Sequence, residues 1–137
     1  VLIQKVPFLG ICIGMQLLFK NSEEGELDGL DWILGTVRGF QFIDKKVKVP
    51  HMGWAEIQPT DLGSVYFDKE SRFYFVHSFF IDSVESKYVL TYSSYYNQKF
   101  VSAVKYENIM GVQFHPEKSH IYGIKFFKNY VKEFNYV

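Results

Sequence analysis

The residues best suited to chemistry lie in the segment Gly10-Ile11-Cys12-Ile13-Gly14. It joins an apolar run at residues 6–11, which predicts a buried strand, to strong helix formers at residues 15–19. Glycines two residues before and after a nucleophile are typical of the strand-turn-helix nucleophile elbow, where neighbouring Cβ atoms would collide. Such an elbow points its side chain at a helix N-terminus, which favours a thiolate. The sequence therefore predicts a nucleophilic Cys12; the alternative is a small buried hydrophobic residue.

A thiolate nucleophile needs a base within hydrogen-bonding reach, and the base needs an acceptor that orients it. Of the four histidines, His115 has an acid placed to help it. Pro116 ends a predicted strand there, and residues two apart in an extended chain face the same way. Glu117 is therefore expected to reach the His115 ring. The alternative is a histidine at a strand end beside a solvated glutamate.

The other three histidines carry weaker signals. We expect His51 and His77 to be structural or contact residues and His120 to lie at the surface. No pair of histidines has metal-ligand spacing with a second acid or a thiol. We therefore expect no metal site.

The composition bounds the class of protein. The chain has 137 residues and equal numbers of basic and acidic residues, 15 of each, which is enough for one packed domain spanning residues 1–137. The longest basic run is Lys45-Lys46, so we do not expect nucleic acid as a partner. Apolar stretches such as residues 73–76 are far shorter than the roughly 20 residues that cross a bilayer, so we expect no membrane partner. One cysteine excludes an internal disulfide and fits a reducing compartment, which predicts a cytoplasmic protein.

The elements that would position these residues follow from the apolar patterns. Aromatic and β-branched runs separated by turn-forming residues predict a second half that is mostly sheet. The predicted strands after the first are at residues 36–42, 47–49, 52–58, 72–80, 87–92, 100–106 and 109–115. Ile124, Phe127, Val131 and Phe134 recur at helical spacing, which predicts an amphipathic closing helix. The expected fold class is α/β, with a parallel core begun by the first strand and antiparallel or mixed strands later.

Two distant motifs together carry a family resemblance. Residues 10–19, GICIGMQLLF, and residues 111–119, GVQFHPEKS, resemble the class I (triad) glutamine amidotransferases in order and chemistry. Residues 50–54, PHMGW, and 75–78, FVHS, are similar to the glutaminase subunits of imidazole glycerol phosphate synthases. The resemblance covers nearly the whole chain. It implies a flavodoxin-like α/β fold with a mixed sheet and flanking helices.

The resemblance implies a glutaminase reaction without a cofactor. Cys12 would attack the side-chain amide of L-glutamine, release ammonia and leave a γ-glutamyl thioester that water hydrolyses to glutamate. His115 would act as general acid and base, and Glu117 would hold its tautomer. The backbone N–H of Ile13 would be one donor of the oxyanion hole.

The resemblance also implies which residues bind glutamine. Gln16 and Glu24 match positions at the backbone end of the substrate, and His77, Ser78 and Phe79 would line the pocket. A carboxylate such as that of Glu24 suits the substrate ammonium, and the amide of Gln16 can donate to its carboxylate. The alternative for Glu24 is a solvated loop acid.

A protein partner follows from the same resemblance. The ammonia would pass to a (βα)₈-barrel synthase subunit that makes imidazole glycerol phosphate in histidine biosynthesis, and Trp54 and Lys118 match positions at that interface. Three alternatives stay open: a homologous subunit supplying ammonia for sugar amidation in surface polysaccharides, an inactive docking subunit, and a cysteine hydrolase such as a γ-glutamyl peptidase. Ala55 replaces the usual Asn, and Phe79-Phe80 replaces the commoner tyrosines.

The chain begins with Val1 and opens directly into an apolar segment. The family carries a strand, a helix and a Gly-rich strand ahead of the elbow, and the Gly-rich strand supplies an oxyanion N–H. Because no such segment precedes Val6, we expect this sequence to be the C-terminal portion of a longer domain.

Overall fold

A computed structural model describes residues 1–134, and the last three residues of the expected domain range 1–137 lie outside it. The described residues form ten strands and three α-helices. The strands are β1 Phe8–Ile11, β2 Asn21–Ser22, β3 Gly35–Gly39, β4 His51–Glu56, β5 Gln58–Pro59, β6 Arg72–His77, β7 Phe79–Val84, β8 Val89–Tyr95, β9 Gln98–Tyr106 and β10 Ile109–Val112. The helices are α1 Ile13–Gln16, α2 Phe40–Ile43 and α3 His120–Glu133. Short 3₁₀ turns cover Gly63–Val65, Ser86–Tyr88 and Pro116–Lys118.

The strands form one large mixed sheet and one small sheet. The large sheet has the order β1-β10-β9-β7-β3-β2, with β8 pairing β9 and β5. β1 runs parallel to β10, whereas β10 and β9 are antiparallel, which confirms the expected α/β fold with parallel and antiparallel pairs. The small sheet is the antiparallel pair β4 and β6. None of the helices in residues 1–134 is long and apolar enough to cross a membrane.

Aromatic side chains fill the core between β6, the segment after β10 and α3. Phe73 stacks on Phe114 with ring centroids 4.1 Å apart, and Phe67 stacks on Phe126 of α3 at 5.1 Å. All four rings are buried. Because Phe114 precedes His115, this packing fixes the chain on which the histidine lies.

The closing helix is present where the sequence predicts it, but its buried face is different. Gly123 and Phe126 are the buried residues of α3, whereas Ile124 is 57% exposed. A Cβ at residue 123 would lie 1.8 Å from the carbonyl oxygen of Pro116, so the helix packs closely on the preceding turn through its glycine. The contact of α3 with the Pro116 turn therefore depends on Gly123, which the spacing of apolar residues could not predict because glycine has no apolar side chain.

Several predicted strand boundaries are wrong. Residues 47–49 are irregular chain and not a strand; they follow a turn over residues 44–47 that is closed by a hydrogen bond from the Val47 N–H to the Asp44 carbonyl oxygen (3.1 Å). The strand predicted at 36–42 ends at Gly39, because Phe40 begins a helical turn. The run predicted at 72–80 breaks at Ser78 into β6 and β7, which belong to different sheets. The last strand ends at Val112 instead of residue 115, and the 87–92 strand begins two residues late, after a 3₁₀ turn.

Candidate active site

Cys12 lies at the turn between β1 and α1 in a strained backbone conformation. Its φ is 55° and its ψ is −109°, values that residues with a Cβ rarely adopt. Its N–H donates to the carbonyl oxygen of Val112 on β10 at 2.8 Å, so the parallel strand pair holds the turn. The helix that follows begins at Ile13 and is only four residues long, shorter and earlier than the predicted 15–19.

The two glycines of the elbow do not play equal parts. A Cβ on Gly10 would lie 2.4 Å from the carbonyl oxygen of Gly14, whereas a Cβ on Gly14 would meet nothing within 4 Å. The expectation that both glycines avoid a collision is therefore wrong for Gly14. Close packing of β1 against α1 requires only the first of them to lack a side chain.

The environment of the Cys12 sulfur favours the thiol over the thiolate. Burial raises the pKa of Cys12, and the carboxylates of Glu24 and Glu117 raise it further; the backbone N–H of Ile13 and the side-chain amide of Gln113 lower it without cancelling the rise. The thiol donates to the carbonyl oxygen of Val76 on β6, with Sγ 3.6 Å from that oxygen. This corrects the expectation of a helix terminus that favours a thiolate, because α1 is too short and the site too buried.

His115 and Glu117 contact each other as the sequence argument requires, but through a different backbone shape. Nδ1 of His115 lies 2.5 Å from Oε1 of Glu117. Glu117 lies in the 3₁₀ turn Pro116–Lys118 instead of an extended segment, because the strand has already ended. A carboxylate accepts, so Nδ1 carries a proton, and in the neutral form of the ring the lone pair is on Nε2. Nε2 is buried and has no hydrogen-bond partner within the described residues.

Strand β6 holds both reactive groups. The His115 N–H donates to the Tyr74 carbonyl oxygen at 2.8 Å, and the Cys12 thiol donates to the Val76 carbonyl oxygen. The buried Ser119 hydroxyl donates to the His115 carbonyl oxygen at 2.6 Å and accepts from the Tyr74 N–H at 3.0 Å. Sequence reasoning missed Ser119; its only signal was a hydroxyl residue four positions after the histidine.

A cavity of about 140 Å³ lies beside α1. Gln16 and Glu24 both line it, which brings together the two residues expected at the backbone end of glutamine. The carboxylate of the neighbouring Glu23 already has partners outside the cavity: it accepts from the Gly39 N–H at 2.7 Å and forms an ion pair with Arg38 at 3.5 Å. Glu24 makes no ion pair within residues 1–134, so its carboxylate is available to a cation in the cavity.

The side-chain amide of Gln16 is already engaged as a donor. Nε2 donates to the carbonyl oxygen of Phe79 at 3.0 Å and to Oε1 of Gln113 at 3.1 Å, so both amide hydrogens are used. The free atom is Oε1, which can only accept. The expectation that this amide donates to a substrate carboxylate is therefore not supported by its hydrogen bonds.

His77 faces the core and does not line this cavity. Its Nδ1 lies 2.8 Å from the Phe79 carbonyl oxygen, and its Nε2 lies 2.8 Å from Nδ1 of His51. Burial lowers the pKa of His77 to about 3 and that of His51 to about 4, so both rings are neutral near pH 7. The segment His77, Ser78, Phe79 approaches the site through the Phe79 carbonyl, while the Ser78 carbonyl accepts from the Phe40 N–H at 3.1 Å.

Trp54 and Lys118 lie at the surface close to the site. Trp54 on β4 is 41% exposed and stacks on His120 with ring centroids 5.6 Å apart. Lys118 is exposed in the 3₁₀ turn, and its N–H donates to the His115 carbonyl oxygen at 3.0 Å. Both residues are therefore connected to the His115 segment, through β4 and through the turn respectively.

Comparison with known proteins assigns this fold and site to a family. The profile described as "Glutamine amidotransferase class-I" matches residues 1–133. The chain therefore belongs to the class-I glutamine amidotransferase family, and its mixed-sheet α/β fold is the fold of that family. Two solved structures agree in fold: a "putative gmp synthase subunit a protein" from Thermoplasma acidophilum (TM-score 0.63, 22% identity, 93% of this chain and 57% of that chain) and a "glutamine amidotransferase" from Thermotoga maritima (TM-score 0.61, 20% identity, 96% and 50%).

Similar curated proteins point to one branch of the family. The chain is 45% identical over 130 residues to "Imidazole glycerol phosphate synthase subunit HisH" of Bdellovibrio bacteriovorus, covering 92% of this chain and 63% of that protein. It is 44% identical over 132 residues to "Imidazole glycerol phosphate synthase subunit HisH 2" of Methanococcus maripaludis, covering 95% and 64%. The chain thus spans less than two thirds of the length of these relatives.

Proposed function

We propose that this protein is a glutaminase that hydrolyses the side-chain amide of L-glutamine through Cys12, His115 and Glu117. The observation that carries the proposal is the state of His115. In the neutral ring, the contact with Glu117 places the proton on Nδ1, so the buried Nε2, which has no partner in the described residues, is the atom that can accept a proton. Cys12 lies in the strained turn, and both its thiol and the His115 N–H donate to carbonyl oxygens of β6. Its thiol is therefore the candidate proton donor.

The reaction would proceed in two steps on these groups. The thiol proton leaves the Val76 carbonyl and passes to Nε2 of His115 while the sulfur attacks the amide carbon of glutamine. The imidazolium then returns that proton to the departing nitrogen, which leaves as ammonia, and a γ-glutamyl thioester remains. His115 next takes a proton from water, which attacks the thioester, and the sulfur regains a proton as glutamate leaves. The backbone N–H of Ile13, the residue that follows the nucleophile, would donate to the developing oxyanion.

The cavity beside α1 would bind the backbone end of glutamine. The carboxylate of Glu24 and the free Oε1 of Gln16 are both acceptors, so both suit the substrate ammonium. The substrate carboxylate then needs donors other than the Gln16 side chain. This assignment differs from the sequence-based expectation in the role of Gln16 and keeps that of Glu24.

The similarity to HisH subunits supports the finer proposal that the ammonia passes to a (βα)₈-barrel synthase subunit making imidazole glycerol phosphate in histidine biosynthesis. The Trp54 and Lys118 surface is the proposed docking site. Ammonia supply for sugar amidation is the alternative that shares this chemistry, and partner-free activity on γ-glutamyl peptides would favour a peptidase instead. The cytoplasmic location stays a prediction from the single cysteine.

Glutamate release from glutamine tests the catalytic proposal, with the protein in its natural full length and the barrel subunit present. Cys12→Ala should abolish turnover, and Glu117→Gln should lower it by about 10²–10⁴-fold because the His115 tautomer is no longer held. Glu85→Gln is the matched control, since Glu85 is an exposed glutamate paired with Lys87 at 3.3 Å. Unchanged turnover in Cys12→Ala would overturn the proposal. No turnover in the unmodified complex would favour a docking subunit.

A titration with the barrel subunit tests the partner proposal. Trp54→Ala should weaken binding by about tenfold or more, because exposed tryptophans are frequent hot spots, and Lys118→Ala should weaken it less. Synthase activity with added ammonium salt should persist in both variants. Tyr96→Ala is the control, because Tyr96 is 60% exposed and lines a separate cavity with Asp44 and Val47. Equal affinity of all three variants and the unmodified protein would remove this face as the docking site.

A further inference from the structure

The buried Gln113 connects the nucleophile to the candidate substrate-binding residue, and the mechanism above does not use it. It follows the end of β10 and is completely buried, with its N–H donating to the Ser102 carbonyl oxygen at 2.8 Å. Its side-chain oxygen accepts from Nε2 of Gln16, and its Nε2 lies 3.7 Å from Sγ of Cys12, within reach of a hydrogen bond to sulfur. A buried amide is costly unless it is paired, so these contacts fix its orientation.

The direction of this chain of hydrogen bonds is fixed at one end. The Phe79 carbonyl can only accept, so the Gln16 amide must present its NH₂ group there. The second hydrogen of that group donates to Gln113, whose oxygen therefore faces Gln16. The NH₂ group of Gln113 is left to face the Cys12 sulfur. A backbone carbonyl on β7 thus determines that the sulfur receives a donor instead of an acceptor.

We propose that Gln113 is a positioning residue for the nucleophile, which donates to the Cys12 sulfur and stabilises the thiolate formed when His115 removes its proton. This inference rests on the proposed glutaminase function and deepens it. The alternative is that Gln113 only fills space and closes a buried network.

Burial and the nearby carboxylates destabilise the Cys12 thiolate, so a hydrogen-bond donor at the sulfur has an effect to oppose. Burial, Glu24 and Glu117 all raise the pKa of Cys12, whereas the Gln113 amide and the Ile13 N–H lower it. A hydrogen bond strengthens when its acceptor becomes charged, so the Gln113 contact stabilises the thiolate more than the thiol. The same side chain also holds the Gln16 amide, so one residue couples the nucleophile to the substrate pocket.

Two variants separate donation to sulfur from support of Gln16. Gln113→Glu keeps an oxygen that accepts from Gln16 but removes the N–H that faces sulfur. Gln113→Leu has a similar volume and removes both contacts. The rate of Cys12 alkylation by iodoacetamide is measured against pH on the full-length protein, with Cys12→Ala as the background. Circular dichroism is used to check that each variant is folded.

We expect the pH midpoint of alkylation to rise by about one unit in Gln113→Leu, the size of one hydrogen bond to a charged group, and further in Gln113→Glu. In glutamine hydrolysis, both variants should lose kcat, and only Gln113→Leu should also raise KM through Gln16. Unchanged alkylation midpoints in either folded variant would overturn the inference. Alkylation needs no glutamine turnover. If the midpoints shift in the variants but the unmodified protein has no glutaminase activity, the proposed function is refuted and the contact of Gln113 with sulfur is not.

Discussion

Replacing Gly10 by alanine should destabilise the elbow severely. Gly10 lies on β1, two residues before Cys12, and a Cβ there would be 2.4 Å from the Gly14 carbonyl oxygen and 2.6 Å from its carbon. Those atoms belong to the backbone of α1, so no side-chain rotation can relieve the contact. The helix would have to move away from the strand, and the strained turn at Cys12 would move with it.

The size of the effect follows from the overlap. The new carbon would approach the Gly14 oxygen more closely than an ordinary contact by about 1 Å. Overpacking typically costs about 1–3 kcal/mol, and a backbone obstacle places this variant at the upper end, about 3 kcal/mol. That is a large part of the roughly 5–15 kcal/mol that stabilises a domain, and it corresponds to a melting temperature lower by about 10 °C.

Gly14→Ala is the matched control at the other glycine of the motif. A Cβ there meets nothing within 4 Å, and alanine is favoured over glycine in a helix by about 1 kcal/mol. Urea unfolding followed by circular dichroism should therefore show a large loss for Gly10→Ala and none for Gly14→Ala. Equal stability of Gly10→Ala and the unmodified chain, or equal losses in the two variants, would refute the steric reasoning.

Two further predictions concern the histidine pair and the serine behind the base. The pKa values of His51 and His77 in the folded protein, about 4 and about 3, lie below the value of about 6.5 in an unfolded chain, so between these values the unfolded chain binds more protons. The free energy of unfolding should therefore be highest above about pH 6.5. As the pH drops toward 4, it should fall by up to about 1.4 kcal/mol per pH unit for each of the two histidines. Urea midpoints measured between pH 7 and 4.5 check this, and it would be contradicted if the double variant His51→Phe, His77→Leu kept the same pH dependence. Ser119→Ala should cost about 1–3 kcal/mol, because the Tyr74 N–H loses its buried acceptor; the same titration measures it, and a loss below about 0.5 kcal/mol would show that the hydroxyl is dispensable.

The sequence predicts the elements whose cause is local. The apolar run before Cys12 and the helical spacing of residues 124–134 are both read from neighbours in the chain, and both elements are present. The break at Ser78 is different, because residues on both sides of it favour strands equally. What separates them is pairing: β6 joins β4, and β7 joins β3 and β9. Partner choice is a tertiary property, so no local pattern could reveal it.

The candidate site divides in the same way. The His115–Glu117 contact depends on two residues one proline apart, and it could be predicted although the backbone shape was not. The roles of Gln16 and Gln113 depend on the Phe79 carbonyl, which is 63 positions from Gln16 in the chain. The raised pKa of Cys12 likewise follows from burial by the folded chain and not from the motif. Residue types can therefore be predicted for this site, but the direction of its hydrogen bonds cannot.

The small sheet has a larger part in the site than its size suggests. The carbonyl groups of Tyr74 and Val76 on β6 hold the His115 backbone and the Cys12 thiol, while the elbow itself is anchored on β10 of the large sheet. Because β6 pairs with β4 and not with the large sheet, the contacts of the nucleophile and the base with β6 also join the two sheets. Trp54 lies opposite Tyr74 in the β4–β6 register, and the Tyr74 carbonyl oxygen accepts the hydrogen bond from the His115 N–H. Surface and base are therefore one strand pairing apart.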